Sequence, residues 1–96
     1  AYVSPGVVKV PTSVRLNDHW WRTDLDHRDR SLVAVSALVA NGQVAQITFH
    51  LNKAMDNGLT QLQAGEVLTQ LAFYAGWPNV FSALPVFKQV FESRHS

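Results

Sequence analysis

Ninety-six residues, 47% hydrophobic and 16% charged, suit a single folded domain and exclude a disordered chain. A net charge of +1 with scattered Lys and Arg leaves no basic stripe for nucleic acid, and no apolar run is long enough to span a membrane. The lack of cysteine excludes disulfides, a thiol nucleophile and thiolate metal sites.

The first eleven residues have neither the charged nor the apolar region of a secretory leader, so a cytoplasmic protein is expected. Residues 1–13, AYVSPGVVKVPTS, read as an extended arm. Prolines at 5 and 11 flank the β-branched Val7, Val8 and Val10, and no helical period is present. The next stretch, VRLNDHWW, suits a short helical turn. His19 and His27 follow among Asp18, Asp24, Asp26 and Asp29. Their spacing matches no helical ligand pair, so a solvated charged segment is expected and no metal site.

A long helix then follows within TDLDHRDRSLVAVSALVANG. Asp26 or Asp29 is its cap, and Asn41-Gly42 is its stop. Leu32, Val33, Val35, Leu38 and Val39 occupy much of its circumference, which places it centrally. The following helix, QVAQITFHLNKAMDNG, has the stripe Val44, Ile47, Leu51, Ala54 and Met55 and closes at Asn57-Gly58. His50 stands beside that stripe, three residues after Ile47 and four before Ala54.

Thr60 and Gln63 form a capping box for a third helix, with Ala64, Val67, Leu68, Leu71, Ala72 and Ala75 at helical spacing. Leu62, Thr69 and Phe73 make a second, weaker apolar face, expected to meet another subunit. Gly76 then supplies a left-handed cap, Trp77 sits in the corner, and Pro78 opens a helix over residues 78–92. Val80, Phe81, Leu84, Phe87 and Phe91 are its expected buried face, and Pro85 interrupts it. The resulting fold class is all-α, with four main helices in one domain over residues 1–96.

Several side chains admit two readings. His50 is either a core histidine hydrogen-bonded to a neighbour or a proton donor and electrostatic anchor. Arg28 and Arg30 either solvate a helix start or bind a substrate carboxylate. Tyr74 and Trp77 either pack or line a ligand site, and Glu66 reads as a solvated carboxylate opposite the main apolar face of its helix.

RDRSLVAVSALVANG, ITFHLNKAMDNGLT and LAFYAGWPNVFSA, in that order and at those spacings, resemble the carboxymuconolactone decarboxylase-like family over residues 28–94. The resemblance implies the alkylhydroperoxidase D-like helical fold and assembly into a dimer, trimer or hexamer with pockets near subunit contacts. The peroxidase branch of that family carries a CxxC pair before the helix histidine. Gln43 and Gln46 stand at those positions, and the upstream glutamate of its relay falls near Ser31. Peroxide chemistry is therefore not expected, because no thiolate is present.

The decarboxylase branch is similar to this chain in having a histidine without cysteines. It implies a cofactor-free conversion of 4-carboxymuconolactone to 3-oxoadipate enol-lactone, or a related lyase or isomerase reaction on a small carboxylated lactone or keto acid. Within that resemblance His50 is the catalytic candidate, Arg28 and Arg30 the carboxylate ligands, and Tyr74 and Trp77 the walls of the ring site. The alternative is a non-catalytic oligomeric module that binds an apolar acid or a protein. Pro85 and the N-terminal arm depart from the family pattern.

Overall fold

A computed structural model describes residues 24–95. The expected arm, the turn over VRLNDHWW, His19 and the Trp20-Trp21 pair lie outside the described residues. Four helices follow in order: α1 His27–Ala40, α2 Val44–Asp56, α3 Gln61–Ala75 and α4 Trp77–His95. No strand occurs among the described residues. The all-α expectation holds.

Short polar signals fix the helix ends. Asp26 is the cap of α1, its Oδ1 accepting from the Asp29 backbone N–H at 2.9 Å. The capping box of α3 is complete. Gln63 N–H donates to Thr60 Oγ1 at 3.1 Å, and Thr60 N–H to Gln63 Oε1 at 3.0 Å. At the end of α2, Gly58 N–H reaches the Met55 carbonyl and Leu59 N–H the Ala54 carbonyl, at 3.1 and 2.9 Å. These two bonds satisfy carbonyls that the helix leaves open, and they require the positive φ of 112° that Gly58 adopts. Leu59, thrown inward by this turn, is buried.

Helices α1 and α4 each pack against all three others, with α2 and α3 to either side. The core is formed by Val35 and Val39 of α1, Ile47, Leu51 and Ala54 of α2, Leu59, and Ala64, Leu68 and Ala72 of α3. Val80, Ala83, Phe87 and Val90 of α4 complete it. Fully burying a side chain such as Ile47 or Leu51 contributes about 1.5–3 kcal/mol, so these layers dominate the packing energy.

Several local expectations need correction. The inner face of α4 is Val80, Ala83, Phe87 and Val90, whereas Phe81 and Leu84 face outward and Phe91 is half-buried. Because α4 carries large apolar residues on several sides, size alone did not identify its inner face. Small Ala83, wholly buried, occupies the central contact instead. Val33 likewise points away from the core.

Gly76 has φ 90° and ψ 147°, so its positive φ is as expected but it is extended rather than left-handed helical. Helix α4 starts at Trp77, making Pro78 its second residue, and runs on to His95. Pro85 lies within that helix and is exposed, so the backbone bond it removes lies on the solvent side.

Candidate functional site

His50 is placed by the same periodicity that builds the core. Ile47 and Ala54, one turn to either side, are wholly buried, which holds the imidazole half-buried at the edge of the stripe. The exposed Phe49 ring meets it edge-on at 5.0 Å and 88°. Nδ1 of His50 is buried and has no hydrogen-bond partner among the described residues. Its pKa lies below the ordinary 6.5, first because burial disfavours the cation and second because the Lys53 ammonium, one turn on, repels it. The ring is therefore neutral at pH 7.

The two arginines have different settings. Arg30 is 8% exposed, and its Nε donates to the Leu25 carbonyl at 3.0 Å, so it braces the segment leading into α1. Arg28 is half-buried, with its Nε buried and unpartnered among the described residues. Its methylenes lie near Gly58, and it lines a groove of about 430 Å³ between α1 and α3 with Leu32, Leu59, Glu66 and Val67.

Trp77 and Tyr74 are both exposed. The Trp77 indole meets Phe73 at 6.4 Å and Phe81 at 5.6 Å between ring centres, and the three exposed rings form one apolar surface. Trp77 also lines a second groove, of about 270 Å³, floored by Leu68, Val80 and Phe87 between α3 and α4. Neither groove includes His50. Arg28 thus lines one groove and Trp77 the other, with Tyr74 outside both.

Sequence reasoning overlooked two residues of the α3–α4 groove, Gly65 and Lys88. A glycine inside a helix was the available signal for the first. Its position has no atom within 4 Å of where a Cβ would stand, so packing within the chain does not require it. Ser31, near the family's glutamate position, is buried and accepts from Asn57 Nδ2 at 3.0 Å, a contact that joins α1 to the end of α2. Gln43 and Gln46 are exposed at the start of α2. Among the described residues no helix is long and apolar enough to cross a membrane.

A helical unit with a neutral, half-buried histidine on its second described helix defines a class that sequence comparison identifies. The Carboxymuconolactone decarboxylase family matches residues 5–89, and the chain belongs to that family. The match reaches back through most of the segment read as an arm, ahead of the span over which the resemblance was legible. The chain is also 30% identical over 67 residues to the nitrosuccinic acid decarboxylase NpaB of Metarhizium robertsii, an alignment covering 70% of this chain and 47% of that protein. It therefore spans about half the length of the curated relative it matches.

Proposed function

We propose that this protein is a cofactor-free decarboxylase of small carboxylated molecules in which His50 stabilises the anion left by loss of CO₂. The observation that carries the reading is the half-buried, neutral His50 whose Nδ1 has no partner among the described residues. A neutral imidazole can donate one N–H to a developing oxyanion, and a depressed pKa keeps it in that form near neutrality. The family and the named activity of the relative support the same reaction class.

Decarboxylation breaks a carbon–carbon bond and leaves its electron pair on carbon, so the substrate must carry an acceptor for that pair. In 4-carboxymuconolactone the conjugated lactone carbonyl accepts it, giving a dienolate. In nitrosuccinic acid, for which the relative is named, a nitro group offers the same outlet. In both cases negative charge grows on oxygen as CO₂ leaves. A hydrogen bond that strengthens at that oxygen lowers the barrier, typically by about 2.7–4 kcal/mol for one well-placed donor. Return of a proton to carbon completes the reaction.

In this reading the protein is a homo-oligomer, and a second copy covers Phe73, Trp77 and Phe81. The exposure of Phe73, Trp77 and Phe81, whose rings meet at Trp77, supports that assembly. Catalysis here draws on His50 and not on Arg28, which lines a groove that does not include His50. That separation favours, as the second reading, a binding module without catalysis.

Ultraviolet absorbance and CO₂ release, followed with 4-carboxymuconolactone and with nitrosuccinate, test the proposal. Turnover of either acid above its uncatalysed rate is expected. Saturable binding of both without turnover would leave the binding module as the better account.

A further inference from the structure

We infer that the α1–α3 groove is a second small-molecule site, one that takes a zwitterion with an apolar body such as a branched-chain α-amino acid. The inference does not depend on decarboxylation or on His50.

Arg28 supplies the first observation. Its Nε–H is buried and has no acceptor among the described residues, and Arg28 lines a groove broad enough for a small molecule. A charged N–H withdrawn from water and left unpaired is unfavourable, and a carboxylate is the acceptor that a guanidinium fork fits best. Gln63 offers a second donor on the same groove. Its Oε1 is held by the Thr60 N–H in the capping box, which leaves its amide NH₂ group to serve the ligand.

Glu66 supplies the second observation. It lines the same groove, and among the described residues no ion pair joins it to Arg28. A cation and a carboxylate therefore border one groove without neutralising each other. Leu32, Leu59 and Val67 give that groove an apolar surface between the charges. The matching ligand places its carboxylate on Arg28 and Gln63, its ammonium toward Glu66, and an aliphatic side chain across the leucines and valine. A dicarboxylate would set a second negative charge against Glu66, so the groove selects against the dianions proposed for the catalytic site.

Amide shifts of the full ¹⁵N-labelled chain, recorded during titration with L-leucine, 4-methylpentanoate and succinate, test this assignment. Leucine is expected to give saturable shifts centred on Arg28, Leu59, Gln63 and Val67. 4-Methylpentanoate, which lacks the ammonium, should bind about two- to fivefold more weakly, as loss of one exposed ion pair implies. Succinate should be weakest.

Glu66→Gln should equalise leucine and 4-methylpentanoate, and Arg28→Gln should abolish the leucine shifts while leaving the circular dichroism unchanged. If Arg28→Gln does not fold, Arg28→Lys carries the same test, because it keeps the charge and loses the Nε–H. Leucine shifts absent from this groove, or unchanged by the arginine variants, would overturn the inference. So would a leucine preference that survives in Glu66→Gln.

Discussion

Asn79 holds three helices together through one amide, and replacing it with alanine is the most informative perturbation of the fold. Its Nδ2 donates to the Ala40 carbonyl at 3.0 Å and to the Ala75 carbonyl at 3.1 Å. These carbonyls end α1 and α3, so neither has a partner within its own helix. Asn79 itself lies in the first turn of α4.

Each hydrogen bond contributes about 0.5–1.5 kcal/mol net, and both sites are part-buried, so Asn79→Ala should cost about 2 kcal/mol. For a domain of this size that loss lowers the melting temperature by about 8–16 °C, read from the helical circular dichroism signal. Asn79→Asp should cost more, because a carboxylate would replace the donor and face two carbonyl oxygens. A melting temperature for Asn79→Ala within about 2 °C of wild type would refute this account of how α4 is anchored.

Thr60→Ala should destabilise the chain by about 1 kcal/mol, seen as a lower urea midpoint with unchanged slope, because it removes one capping bond at an exposed helix start. Leu51→Ala, at a wholly buried position, should cost about 2–5 kcal/mol in the same measurement; a loss under about 1 kcal/mol would mean that the α2 stripe is not core. Acidification gives a third test. His50 has a lowered pKa when folded, so on acidification the unfolded chain takes up this proton first. The His50 contribution to stability is therefore present above pH 6.5 and lost as pH falls toward the lowered folded value. The fall in urea midpoint across that window should be smaller in His50→Gln than in wild type, and an equal fall would show that other groups account for it.

The helices were legible because their signals are local. Asp26, the Thr60–Gln63 pair, Asn41-Gly42 and Asn57-Gly58 each act within a few residues of a helix end, and each marks an observed boundary. The inner face of α4 was harder to read, since Phe81, Leu84 and Phe91 are as apolar as the residues that are buried. Only the packing of α4 against the other three helices decides which face turns inward. Long-range polar contacts left no trace in sequence spacing: Asn79 lies 39 residues from Ala40, and Ser31 lies 26 from Asn57. His50 was recognisable from its place beside the stripe. Its unpartnered Nδ1, and the separation of Arg28 and Trp77 from it, depend on how the helices are placed in space.

The most direct test of the central claim compares turnover by wild type and His50→Ala on whichever acid the wild type decarboxylates, with circular dichroism and light scattering confirming the same fold and assembly. If His50 stabilises the developing anion, kcat should fall about 10²- to 10³-fold. Turnover by His50→Ala within about twofold of wild type, with fold and assembly intact, would contradict the assignment and place the chemistry elsewhere in the molecule.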